Sequence, residues 1–190
     1  VARHESARFP DGVWWCELAP LADGSPVGHS VAAALRVRDR HGLTIEQTVI
    51  EYLRGRQLLL VLDNCEHVLD DAARLAQAIV AHCPGIAVLA TSREMLGVGG
   101  EQVWPVPPLP VDEATVLFVE RARSSRPDVP DVAADDGVVA ELCRRLDGLP
   151  LAIELAAARI RAMSPAEVAD RLGDAQLLAG GPRDAEPRHQ

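Results

Sequence analysis

Two unbroken aliphatic runs, each ended by polar and charged residues, constrain this chain more than any other feature. Leu58-Leu59-Leu60-Val61-Leu62 stops at Asp63-Asn64, and Ile86-Ala87-Val88-Leu89-Ala90 stops at Thr91-Ser92-Arg93. Runs this short and this apolar fit strands covered on both faces, as inside a parallel sheet. Between them, Val68, Leu69, Ala72, Leu75, Ala76, Ile79 and Val80 recur at helical spacing, and Cys83-Pro84-Gly85 stops that helix before the second run. The segment predicts a strand, helix, strand crossover. In open parallel sheets ligands sit beyond the carboxyl ends of the strands, so Asp63 and Arg93 are expected to face one crevice.

The flanking sequence extends this pattern. Gly12-Val13-Trp14-Trp15-Cys16-Glu17-Leu18 predicts a first strand, ended by Pro20 and the Gly24-Ser25-Pro26 loop. Helices are expected over 27–37 and 44–54, the second capped by Thr44 with Ile45, Thr48, Val49 and Leu53 inward. A last short strand is expected over 102–106, before the proline-rich stretch that ends at Pro110. Beyond it the periodicity is helical only, which places a domain boundary near Leu109. Residues 1–109 are thus read as an α/β domain, 110–178 as a small all-α bundle and 179–190 as an extended tail.

In the bundle, Asp112 is expected to cap a helix carrying Ala114, Leu117, Phe118 and Ala122 inward, with a loop at 126–130 after it. Asp135 or Asp136 would cap a helix carrying Val138, Val139, Leu142, Cys143 and Leu146. Gly148 ends that helix and Pro150 opens the next, over 151–161, which is apolar nearly all round and therefore expected at the centre. Ser164-Pro165-Ala166-Glu167 forms a capping box for a fourth helix.

Composition narrows the classes. At 190 residues the chain can bury roughly 70% of its unfolded surface, and its 48% hydrophobic but 3% aromatic content predicts an interior of Leu, Val, Ile and Ala. No apolar stretch reaches the length of a membrane span and the N-terminus is no signal peptide, so a cytoplasmic location is expected. Cys16, Cys65, Cys83 and Cys143 show no C-x-x-C spacing and fit reduced, buried thiols. A zinc set of Cys65, His67, His82 and Cys83 fails on distance, because a helix of roughly 20 Å separates its halves. A net charge of −9 argues against direct contact with nucleic acid. Arg36, Arg38 and Arg40 are spaced by two and do not share a helix face. There is no G-x-S-x-G of a hydrolase.

A carboxylate at a strand end can hold magnesium, and a guanidinium can fork onto phosphate oxygens; those are the charges a nucleoside triphosphate needs neutralised. Asp63 and Arg93 therefore point to a nucleotide, with Thr91 and Ser92 either hydrogen-bonding near the phosphates or capping backbone. Against this, the phosphate-cradling G-x-x-x-x-G-K-[ST] loop needs a lysine, and all 19 strongly basic residues here are arginines. Val1 to Arg8 look like the tail of a helix already under way, so the chain is expected to be an internal fragment whose phosphate loop lies upstream. Its sheet would then lack a strand and expose an edge that invites aggregation.

Asp63-Asn64-Cys65-Glu66-His67, Ala90-Thr91-Ser92-Arg93-Glu94 and the run from Cys143 to Ala152 with Gly148-Leu149-Pro150 together resemble the NB-ARC class of STAND signalling ATPases, as found in large actinobacterial transcriptional regulators. The resemblance spans nearly the whole chain. It implies an incomplete P-loop NTPase sheet followed by a helical ARC domain, and an ATP/ADP switch with Mg2+ in the intact parent. It implies Asp63 as the magnesium-associated acid, Arg93 as a sensor of the terminal phosphate, and Pro150, beside Gly148, as a contact near the adenine. Partners implied are the nucleotide, neighbouring domains of the parent and a homo-oligomer formed on activation, without nucleic acid or membrane contact by this segment. Many relatives carry a second acid after the first; here the slot holds Asn64, the only asparagine in the chain. An amide takes up no proton at pH 7 but can orient water, so with Asp63 and Asn64 as the catalytic pair the parent is expected to be a slow ATPase and this chain inactive. Glu66 is the fallback base, or a cap. The rival reading is a nucleotide-independent protein interaction scaffold.

Overall fold

The computed structural model describes residues 8–125 and 136–171. The run at 58–62 becomes the middle strand of a three-stranded parallel sheet in the order β1-β2-β3, where β1 is Val13–Glu17, β2 Leu58–Asp63 and β3 Ile86–Ala90. The first five residues of β2 are buried, which is why it tolerates no polar residue until Asp63. The expected crossover from β2 to β3 is present: after a 3-10 turn at Glu66–Val68, α3 covers Leu69–His82.

Two further helices, α1 (Val27–Ala34) and α2 (Ile45–Leu53), connect β1 to β2. Their apolar faces and that of α3 join Cys16, Leu18, Leu58, Leu60 and Leu62 in one core. A fully buried leucine contributes about 1.5–3 kcal/mol relative to an exposed one, so this side of the sheet dominates the stability of the unit. The opposite face holds a row in register, Trp15 against Val61 against Leu89. Val61 is buried, while Trp15 and Leu89 are 58% and 47% exposed. β1 and β3 are the sheet edges among the described residues.

Thr44 caps α2 as expected, through a reciprocal capping box with Gln47. Helix α1 ends at Ala34 rather than at 37 because Arg36 turns left-handed, with φ 58°. Arg36 N–H then bonds Ala33 O and Val37 N–H bonds Ala32 O, a Schellman closure without glycine. The strand expected over 102–106 does not form. Pro105 has no N–H to give a ladder, Trp104 and Val106 are almost wholly exposed, and no strand pairs there.

The chain divides into two compact units, Val1–Trp104 and Pro105–Gln190. The second is helical: α4 (Val111–Ser125), α5 (Asp136–Arg145), α6 (Pro150–Ala158) with a 3-10 turn at Arg159–Arg161, and α7 (Pro165–Asp170). Phe118, Leu142, Ile153, Ile160 and Val168 form its core. Asp112 lies inside the first turn of α4 and not at its cap, since Ala114 N–H already bonds Pro110 O; it acts there on the helix dipole. Helix α6 is not central: it buries Ile153, Ala156 and Ala157 but leaves Leu151 53% exposed, and α4 packs on both α5 and α6. Ser164 and Glu167 form the expected capping box of α7. The helix tail at 1–7, the loop at 126–130, the capping side chain at 135 or 136 and the tail beyond 178 lie outside the described residues.

Candidate functional site

The carboxyl ends of the three strands are stitched together beyond the regular ladder. Leu18 N–H bonds Asp63 O, Thr91 N–H bonds Leu62 O and Cys65 N–H bonds Thr91 O, each at 2.9 Å. These bonds fix where the polar residues after each strand emerge, and they bring Asp63, Asn64 and Thr91 to one place. The Thr91 hydroxyl donates to Asp63 Oδ1 at 2.6 Å and accepts from Asn64 N–H at 3.0 Å. Of the two roles the sequence left open for Thr91, the structure shows the backbone cap, and it adds a contact with the acid. Glu17 stands opposite Asp63 in the β1–β2 register, so two acidic residues end neighbouring strands.

Asn64 adopts φ 67°, a left-handed conformation that asparagine tolerates better than most residues. Its Nδ2 lies 3.3 Å from His67 Nδ1, and His67 Nε2 lies 2.9 Å from Leu18 O. Sequence reasoning weighed His67 only as a metal ligand; its tie to the β1 end depends on a contact across 49 positions of chain, which no local pattern signals. A hollow of about 250 Å3 borders this histidine and is otherwise lined by Gly24, Val68, Leu69, Asp70 and Asp71. The larger hollow, of about 370 Å3, runs along β3 beside Val80 and Leu96 and includes neither Asp63 nor Arg93.

Arg93 is exposed and its Nε is 3.6 Å from Glu66 Oε1. An exposed pair at this distance is worth at most about 1 kcal/mol. Glu66 is therefore neither a helix cap nor isolated. Glu101 accepts from the backbone N–H groups of Leu96, Gly97 and Val98. Ser92 Oγ accepts from Glu94 N–H at 3.3 Å, a local turn. Cys65 is fully buried under this site, and burial, with lesser contributions from Glu66, Asp63 and Cys16, pushes its thiol up to about 12.

Gly148 and Pro150 belong to the second unit. Asp147 (φ 53°) and Gly148 (φ 65°) are consecutive left-handed residues, and Asp147, not Gly148, is the first left-handed residue after α5: its N–H bonds Arg144 O while Gly148 N–H bonds Cys143 O. Gly148 is needed for another reason, because a Cβ there would collide with Leu109 O, and Leu109 N–H bonds Gly148 O at 2.9 Å. Pro150 occupies the first turn of α6, exposed.

A magnesium ion takes hard oxygen ligands in octahedral geometry and usually keeps several waters. Asp63 offers such an oxygen: Oδ1 is engaged by Thr91 and the carboxylate is only partly buried. The donor set fits a magnesium ion that shares its shell with phosphate and water, not one enclosed by protein alone.

No family model matches the chain. A protein of Mycobacterium tuberculosis (strain ATCC 25618 / H37Rv) named "Putative HTH-type transcriptional regulator" is 44% identical over 187 residues, which is 97% of this chain and 21% of that protein. A protein of the same name from Mycobacterium bovis matches equally. An uncharacterized protein of Mycobacterium tuberculosis is 43% identical over 175 residues, 91% of this chain and 44% of its own length. The chain spans about a fifth of the length of the first of these relatives. It is a homologue of one segment of mycobacterial proteins bearing that regulator name, with a parallel α/β sheet followed by helices.

Proposed function

We propose that this chain is part of an ATP/ADP-binding signal-transduction switch module within a bacterial transcriptional regulator, and that alone it binds ATP weakly and does not turn it over. The observation that carries the reading is the convergence of Asp63 and Thr91 at the ends of adjacent parallel strands, with Thr91 Oγ1 bonded to Asp63 Oδ1 and Arg93, two residues further on, 3.6 Å from Glu66. In such sheets the ligand crevice lies at those ends. Asp63 would orient magnesium-bound phosphates, and Arg93 would exchange its weak contact with Glu66 for a charge-assisted bond to the terminal phosphate. Magnesium, when bound, would neutralise phosphate charge. Asn64 holds water without taking its proton, which suits a switch held by occupancy rather than by rapid turnover. The regulator names of the relatives and the similarity of the three motifs to STAND ATPases support this reading.

Missing a lysine-bearing phosphate loop, the chain lacks most charge-assisted contacts to phosphate. The test is calorimetric titration of Mg-ATP and ADP into this chain and into a version extended upstream by about fifty residues, a length that accommodates a G-x-x-x-x-G-K-[ST] loop with its strand and helix. Binding in the extended form that is lost on Asp63→Ala and on Arg93→Ala is expected. Absence of binding in both forms overturns the proposal in favour of a nucleotide-independent interaction scaffold.

A further inference from the structure

We propose that His67 is a positioning residue that fixes which way round the Asn64 side-chain amide sits, so that Asn64 keeps its side-chain oxygen as a hydrogen-bond acceptor. The functional consequence rests on the nucleotide reading above; the geometry does not.

Leu18 O can only accept, so His67 Nε2, 2.9 Å away, must carry the proton. In the neutral ring Nδ1 is then a lone pair and requires a donor. The only donor on the Asn64 side chain is its NH2 group, and Nδ2 is the atom found 3.3 Å from Nδ1. The backbone completes the constraint: Asn64 is held left-handed at φ 67° with its N–H on Thr91 Oγ1, so the side chain has little freedom apart from a flip of the amide. His67 decides that flip. With Nδ2 turned to the imidazole, Oδ1 is left over, and none of the described residues donates to it.

An amide oxygen holds a water by one of its protons and leaves an oxygen lone pair of that water free to meet an electrophile. The flipped amide would hold the same water through its lone pair and blunt it. His67 would thereby set the hydrogen-bonding polarity of the Asn64 side chain, the residue that follows Asp63 in the chain. Replacing an acid by Asn64 makes such control necessary, because a carboxylate has two equivalent oxygens and an amide does not.

Asn64 is the only asparagine in the chain, so selective 15N labelling of asparagine gives a single side-chain NH2 pair. One of its protons is expected well downfield of the other, with water exchange slowed roughly three- to tenfold by the bond to Nδ1. His67→Gln keeps a donor for Leu18 O but offers nothing at the Nδ1 position; it should return the Asn64 pair to free-amide shifts and exchange. His67→Asn places an amide oxygen near the Nδ1 position and adds a second labelled NH2 pair; one of its two pairs should keep the shifts and slow exchange of Asn64 in the unsubstituted chain, while the tie to Leu18 is lost. A purely structural tether predicts the reverse ranking, with the Asn64 pair indifferent to His67→Gln. The imidazole 15N shifts of the unsubstituted chain, assigned by the resonances that vanish in His67→Gln, should report the Nε2–H tautomer at pH 7.5. An Nδ1–H tautomer, or an Asn64 pair with free-amide shifts, overturns the proposal even if a variant fails to fold. All of these spectra are recorded without nucleotide, so failure of ATP to bind the extended chain leaves them intact and the two readings fail separately.

Discussion

Thr91 Oγ1 donates to Asp63 Oδ1 at 2.6 Å while accepting from Asn64 N–H, so one hydroxyl holds both the candidate metal acid and the backbone of the residue after it. Thr91→Val keeps the β-branched shape and removes both bonds. A net hydrogen bond is worth about 0.5–1.5 kcal/mol and the site is exposed, so a loss of about 1–2 kcal/mol is expected. Thr91→Ser keeps the hydroxyl and should lose less than half of that. Urea unfolding of the two variants checks the ranking; equal midpoints would mean that water replaces the threonine hydroxyl without cost.

That bond also shows where sequence was sufficient. The aliphatic run ending at Asp63 specifies β2 because a strand buried on both faces admits no polar residue, whereas the run ending at Thr91 forms an edge strand that leaves Leu89 47% exposed, so only the first is covered on both faces; the period of α3 follows from its one buried face. The convergence of Asp63 with Thr91 could be placed from strand order alone. What the residues did not signal were contacts decided by backbone geometry or by distant partners: His67 reaching Leu18, Glu101 accepting from the N–H groups of its own loop, and Arg36 closing α1 without a glycine. The strand expected over 102–106 failed for a related reason. Alternation alone does not make a strand where proline denies the ladder its N–H and no neighbour pairs.

The two left-handed residues after α5 differ in what they require, and substitution separates them. Gly148→Ala meets both a φ of +65° and a collision with Leu109 O. The first costs about 1–2 kcal/mol and overpacking adds about 1–3, so a total of at least about 2 kcal/mol is expected. Asp147→Gly relieves about 1 kcal/mol of left-handed strain, and the freer unfolded chain offsets about 0.4–1 kcal/mol of it. Its midpoint should scarcely move. Thermal unfolding followed by circular dichroism tests the contrast, and a tolerated alanine at 148 would show that the Leu109 segment yields.

Two buried thiols give the first unit an alkaline limit. Burial raises Cys16 to about 11, and burial with the charges of Glu66 and Asp63 raises Cys65 to about 12, against 9.0 for an unperturbed thiol. The unfolded chain therefore releases these protons first. Above about pH 9 the unfolded state binds fewer protons than the native state, so stability falls as pH rises through the interval that ends near 11 for Cys16 and near 12 for Cys65; below 9 neither thiol contributes a slope. Urea midpoints measured at about pH 8 and about pH 10.5 should differ, the higher pH being less stable. Other alkaline groups contribute to the raw difference, so the diagnostic is the variant Cys16→Ala/Cys65→Ala. It is expected to be weaker at pH 8, because the core loses two sulfur atoms, yet to lose less on going to pH 10.5. At pH 8 a thiol reagent should reach Cys16 and Cys65 in the native chain only through unfolding, at a rate that rises with urea. A variant that keeps the parent's full pH slope would mean that neither thiol holds its proton any longer in the native state than in the unfolded one.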